Sequence, residues 1–195
     1  MIHAVLIFNT SGIPRLAKFY TPLHQSAQTL IQKIYSLIFS RPTGLCNFLD
    51  APELEEFLAG SNNGTDERWR VVYRCYATLY FVFVVDGSES ELGILDLIQV
   101  FVEALDRAFE NVCELDLVFH FDEVHHILAE IIQGGIVLET NVEEISTAVQ
   151  NATKARKESF LSSNPLSLGV GSGLGPRGAN AVTPLNWLAG RFGTR

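Results

Sequence analysis

The chain reads as an α+β protein, a meander of strands with helices laid on its faces. Three observations predict this class. Ile2 to Phe8, Trp69 to Tyr76 and Thr78 to Val85 are dense in β-branched and aromatic residues, as buried strands are. Glu91 to Phe109 places apolar residues at helical spacing without a break. The order strand, strand, helix, strands, helices is that of an antiparallel sheet with helices, not of repeating βα units.

In the first strand Ile2, Ala4, Leu6 and Phe8 point one way and Val5 and Ile7 the other, so both faces are apolar and the strand is central. Asn9-Thr10-Ser11-Gly12 is a turn into a second strand over 13–20. Thr21 has the chemistry of an N-cap, with Pro22 at the first helical position, where no N–H is needed. Leu23, Ala27, Leu30, Ile34 and Ile38 then form one core-facing stripe, and Arg41-Pro42 stops the helix. Cys46 to Leu49 begins a strand, and Gly60 to Gly64 with Asp66 and Glu67 makes an exposed loop.

Ser88 and Glu91 have the spacing of a capping box for the long helix. Along it Leu95, Ile98, Val102, Leu105 and Phe109 form one apolar row, and Ile94, Leu97, Phe101, Ala104 and Ala108 a second. A helix on one sheet needs one stripe. Two rows imply cover from both sides, so a partner surface is expected, against the alternative that the domain encloses the helix itself. Asp122 is expected to cap a further helix ending at Gly134-Gly135, and Asn141 with Glu144 repeats the cap spacing for a last one.

Net charge is −8, unevenly spread. Residues 1–150 carry 8 Lys and Arg against 21 Asp and Glu, net −13, whereas 151–195 carry 6 against Glu158 alone, net +5. An acidic body argues against a nucleic-acid ligand, whose affinity comes from neutralised phosphates. Leu79 to Val85, the longest apolar run, is far short of the roughly 20 residues that span a bilayer. The opening MIHAVLIFNTSG reads as a strand and not a signal peptide, and Ile2 stands where myristoylation needs glycine, so a cytosolic chain is expected. Cys46, Cys75 and Cys113 fit reduced core thiols, and the sequons at Asn9, Asn63 and Asn151 chance matches. The organisation expected is a folded domain over 1–154 and a Gly/Ser/Pro-rich disordered tail over 155–195, with Trp187 and Phe192 near its end.

Catalytic and cofactor signals are weak. His120, His125 and His126 with Asp122 and Glu123 lack the spacing of a metal motif, and adjacent helical histidines diverge by about 100°. Gly169 to Gly175 does not fit a dinucleotide loop and follows no strand. Ser88, Ser90 and the cysteines lack a recognisable base; a hydrolase using Cys113 or a serine with His120 is the enzymatic alternative. No cofactor is expected.

ATLYFVFVVD (77–86), SESELGILDLIQVFVEALDRAFENVCELDLVF (88–119) and GGIVLETN (134–141), with the opening MI-AVLIFN and PRLAKFY (14–20), resemble the sigma (small) chains of clathrin-type adaptor complexes. SESELGILDLIQVF and GGIVLETN are most similar to the sigma subunit of adaptor-protein complex three. The resemblance spans roughly Met1 to Asn151 and departs at 50–70, which is longer and more acidic, and in the tail. It implies a non-catalytic, longin-like domain with a five-stranded antiparallel sheet between helices. It also implies a heterotetramer in which this chain lies in the curve of a delta-type large adaptin, beside a beta-type large chain and a medium chain. Peripheral attachment to Golgi or endosomal membranes, through the complex only, and transport toward lysosome or vacuole would follow. Sigma chains bind acidic dileucine signals, an Asp or Glu four residues before a Leu-Leu or Leu-Ile pair. Carried across, the slot is Ala77, Leu79, Val102, Val112 and Leu117, with Asn111 on the peptide backbone and Arg15 near the acid. The residues alone also allow Arg15 to pair with an internal acid and the apolar set to be ordinary core. A longin domain regulating a SNARE or small GTPase is the remaining alternative.

Overall fold

The computed structural model describes residues 1–42, 47–54, 57 and 69–163. Met1 to Ala155 forms one compact unit. Strands β1 (Ile2–Asn9), β2 (Pro14–Phe19), β3 (Phe48–Asp50), β4 (Arg70–Tyr76) and β5 (Leu79–Val85) form an antiparallel sheet in the order β2-β1-β5-β4-β3. Helix α1 (Ala27–Phe39) lies on one face. Helices α2 (Glu91–Phe109), α3 (Glu114–Phe119), α4 (Phe121–Ile131) and α5 (Val142–Ser163) follow on the other. This is the α+β, longin-like arrangement expected from the sequence.

β1 lies between β2 and β5, and its alternation feeds two cores. Ala4, Leu6 and Phe8 meet Leu30, Ile31, Ile34 and Ile38 of α1, while Val5 and Ile7 face α2. Ile2 departs from the expected alternation and joins Val5 and Ile7, because the register against β5 slips between Ile2 and Ala4. Asn9 organises the β1–β2 turn, its Oδ1 accepting from the N–H groups of Ser11 and Ile13 at 3.0 Å each.

The expected start of α1 at Thr21-Pro22 is corrected: the helix begins at Ala27 after Ser26. The Thr21 hydroxyl sits 2.7 Å from His3 Nδ1, and the His24 N–H donates to the Phe57 carbonyl at 3.0 Å. The segment between is thereby committed to non-helical partners, though Leu23 still packs with the α1 core. β3 begins at Phe48; Cys46 and the 60–64 loop lie outside the described residues.

Helix α2 has the expected bounds but a different cap. Ser90 Oγ accepts from the Gly93 N–H at 3.4 Å, while Ser88 is turned to Asp86, with both its N–H and its hydroxyl on Oδ1. An Asx-type turn thus takes Ser88 out of the capping box. Both apolar rows of α2 are covered largely by the chain's own residues. Ile94, Leu97, Ile98, Phe101, Ala104 and Leu105 are buried against the sheet, α4 and α5. Leu95, Val102 and Phe109 are half-buried, and Ala108 is exposed. Leu92 of α2 stays bare, and further bare apolar residues lie on Leu115, Val118, Phe119 and Phe121 of α3–α4 and on Ile136 to Leu138.

Helix α3 has no counterpart in the expectations. Its cap is Cys113, whose N–H donates to Asp116 Oδ2 at 2.8 Å. α4 starts at Phe121, so Asp122 lies inside its first turn instead of capping it. Gly134 and Gly135 do more than stop α4: at φ +60° and +81° they make the two-residue turn of a small hairpin, β6 (Ile132–Gln133) and β7 (Ile136–Val137). Asn141 Oδ1 caps α5 by accepting from the Glu143 N–H at 2.9 Å, but the Asn141 N–H donates to Glu139, not Glu144. α5 buries Ile145 and Val149 and runs to Ser163, past the expected boundary at 155; residues 164–195, with Trp187 and Phe192, lie outside the described residues. Cys75 and Cys113 are exposed free thiols, not core residues.

The β4–β5 connection is a two-residue turn at Ala77-Thr78 with Ala77 at φ +53°. A left-handed alanine costs about 1–2 kcal/mol. Glycine removes that strain but adds unfolded-chain entropy worth about 0.4–1 kcal/mol. Ala77→Gly should therefore raise stability by about 0.5–1 kcal/mol in denaturant titration. An unchanged or lower midpoint would show that the turn carries no strain.

Candidate functional site

Four of the predicted slot residues belong to or pack against one hydrophobic cluster. Leu79 opens β5, opposite Asn9 of β1 and Tyr76 of β4. Leu117 comes from α3, and both belong to the cluster under α2, being 7% and 1% exposed. Val102 of α2 and Val112 of the α2–α3 link pack against the same cluster and stay half-buried. Leu79 and Leu117 are thus buried in that cluster, while Val102 and Val112 keep part of their surface in water. Ala77 and Asn111 are exposed. Asn111 stands at φ +81° just after Glu110, the left-handed C-cap of α2 at φ +50°. The Val112 N–H is held by Asp106 Oδ1 at 3.1 Å, which fixes the link as it leaves the helix.

All the non-glycine residues with positive φ among those described, Ala77, Glu110 and Asn111, are predicted site residues or the neighbour of one. Such strain persists where the surroundings over-determine the backbone, and it gathers at functional sites.

Arg15 of β2 lies beside α3 and is not free. Its Nε and Nη2 donate to Glu114 Oε1 at 2.8 and 2.7 Å. Asn9 Nδ2 donates to the same oxygen at 3.1 Å, and Thr78 adds a further hydrogen bond. The Arg15 contact, with those from Asn9 and Thr78, holds the Glu114 carboxyl below the usual carboxylate range. Arg15 and Glu114 side chains are 23% and 28% exposed, so the pair faces solvent. Glu114, Asn9 and Thr78 were not among the candidates from sequence. A pairing across 99 positions leaves no local trace, although an acid at the first residue of a helix is itself a usable signal.

Elsewhere, a groove of about 450 Å³ runs between the start of α2 and β7, lined by Ile94, Leu97, Val100 and Val137. Phe109 packs on His120 and Phe121 on His125, with ring centroids 5.5 and 4.8 Å apart. Among the described residues no group of three or more His, Cys, Asp and Glu side chains gathers as a metal site, and no helix is long and apolar enough to cross a membrane.

The clathrin adaptor complex small chain family matches residues 1–156. The AP-3 complex subunit sigma of Schizosaccharomyces pombe is 59% identical over 160 residues, covering 82% of this chain and 90% of its own length. AP-3 complex subunit sigma-2 of Homo sapiens is 50% identical over 167 residues, covering 85% of this chain and 82% of its own. A chain in a homology model of the full-length AP-3 complex in a stretched open conformation superposes with a TM-score of 0.59 at 44% identity, covering 82% of this chain and 98% of that one. Fold, family match and relatives agree, and the chain belongs to the clathrin adaptor complex small chain family, whose members are non-catalytic subunits of vesicle-coat adaptors.

Proposed function

We propose that this chain is the small subunit of an AP-3-type heterotetramer that recognises acidic dileucine signals in the cytoplasmic tails of membrane cargo. The observation that carries the reading is the position of Arg15, held beside α3, whose Leu117 shares with Leu79 the cluster that Val102 and Val112 pack against. A cation beside an apolar slot suits a peptide with an acid upstream of two leucines. The half-buried valines are the contacts for the two side chains, and the exposed Asn111 amide suits a peptide backbone.

Each buried leucine contributes about 1.5–3 kcal/mol. Ordering the peptide costs about 1–2 kcal/mol per residue. Single-site affinity is therefore weak, and clustering of complexes and cargo on a membrane supplies the rest. The bare apolar residues of α3–α4 and β7 suit cover by a delta-type large chain, with beta-type and medium chains completing the assembly. Attachment to Golgi or endosomal membranes is then peripheral, through the complex, and the cargo route leads toward lysosome or vacuole.

The test is Arg15→Ser in the assembled complex, with fluorescence anisotropy of two peptides, one carrying the acid and one with alanine in its place. The acidic peptide should lose about fivefold in affinity, from a Coulomb term of order 1 kcal/mol, and the alanine peptide should be unaffected. Equal loss for both peptides would remove Arg15 from this role.

A further inference from the structure

We infer that Glu114 is the specificity-determining residue for the acidic position of the signal: it is the resident counter-ion of Arg15, and an incoming carboxylate must displace it. The inference rests on the proposed binding of acidic dileucine signals and adds a residue to that site.

Glu114 Oε1 takes two of the five guanidinium N–H groups of Arg15, those on Nε and Nη2, side-on. The pair is close to neutral, and it sits in a body whose residues 1–150 sum to −13. An approaching carboxylate therefore meets no net positive charge while the pair is intact. The site favours an acid only when Glu114 yields the guanidinium.

Two features make that exchange feasible. Both side chains are only partly covered, so the displaced carboxylate swings into water and not into a dry interior. Glu114 also has partners besides Arg15: Asn9, on the same oxygen, and Thr78, which can hold it once Arg15 has turned away. Placement ties this exchange to the apolar slot. Glu114 is the first residue of α3, two positions after Val112 and three before Leu117. A leucine side chain pressing on the half-buried Val112 pushes on the backbone two residues before Glu114. The acid and the leucines are then read together and not as independent contacts.

The native pair thus acts as a brake on charge recognition. It lowers the gain from a matching acid, and it keeps Arg15 from collecting unrelated anions. Glu114→Gln removes the carboxylate charge and keeps a side chain of the same reach for Asn9 and Thr78.

The experiment measures the affinities of the assembled complex for the acidic peptide and its alanine counterpart, comparing native chain, Glu114→Gln, Glu114→Asp and Arg15→Ser with Glu114→Gln. The ratio of the two affinities is the readout, which cancels any uniform loss of active protein. Glu114→Gln should raise the ratio about fivefold, as expected for one unmasked charge near a carboxylate. Glu114→Asp should leave it near the native value, and the double variant should abolish the gain. An unchanged or lowered ratio in Glu114→Gln, with Arg15→Ser alone still lowering it, would overturn the role of Glu114 and leave the site intact. If Arg15→Ser alone leaves the ratio unchanged, the reading of the acidic position fails instead, and this inference falls with it.

Discussion

Val102→Asp should reduce the affinity of the assembled complex for acidic dileucine peptides at least about a hundredfold. Val102 is half-buried in the proposed slot, against the cluster that holds Leu79 and Leu117. A carboxylate there removes the apolar contact of one leucine, worth about 1.5–3 kcal/mol. It also asks an apolar side chain to desolvate a charge, which adds about 1–3 kcal/mol where no partner replaces water. The native fold tolerates the change better than the complex does, because Val102 leaves part of its surface in water and an aspartate can turn outward. Isothermal titration with peptide and co-purification with the other subunits separate the two effects. Loss of peptide binding with intact assembly is the expected result. Loss of assembly would make Val102 structural, and unchanged binding would move the slot elsewhere.

Gly135→Ala should cost about 3 kcal/mol of stability. Gly135 stands at φ +81°, and a methyl group built there runs into the Ile2 carbonyl oxygen. That oxygen is backbone and cannot step aside as a side chain can. The hairpin must move, and the Ile2 N–H then loses the Gly135 carbonyl that it reaches at 2.9 Å. Left-handed strain contributes about 1–2 kcal/mol and the lost buried bond about 1–3. For a domain of this size the melting temperature should fall by about 6–12 °C. Gly134→Ala is the internal control. Its φ is +60°, but nothing lies within 4 Å of the added methyl, so only the strain should appear. Equal shifts for the two variants would show that the contact with Ile2 is without consequence.

What could be read from sequence follows the reach of each signal. The long helix was legible because nineteen positions keep one period, although Glu110, its left-handed C-cap, fits the same polar stripe. β1 was legible as central because both its faces are apolar. Where a residue has a choice of partner, local rules failed. Thr21 and Ser88 have the right chemistry for caps, yet His3 and Asp86 claim them. α3 went unseen because it has six residues and is capped by a cysteine, a rare cap. How much of the double apolar row of α2 is covered from within was not legible, because periodicity does not show that α4 and α5 join the cluster beneath it. The site shows the same division. Leu79, Val102, Val112 and Leu117 look like any core residues, and only the family resemblance singled them out. That Arg15 pairs with an internal acid was open from the residues, but not which one, since Glu114 reaches it only through the fold.

The margins of the sheet carry one more consequence. Among the described residues β2 pairs with β1 alone, starts at Pro14, which has no N–H to give, and leaves Lys18 exposed, while β3 at the opposite border has three residues. Borders of this kind discourage a foreign segment from zipping on by backbone pairing. A tail that docks here must be distinguished by what its side chains fill, which leaves the intervening positions free to vary. The same blunted borders keep neighbouring copies from fusing sheet to sheet when a coat crowds them together on a vesicle.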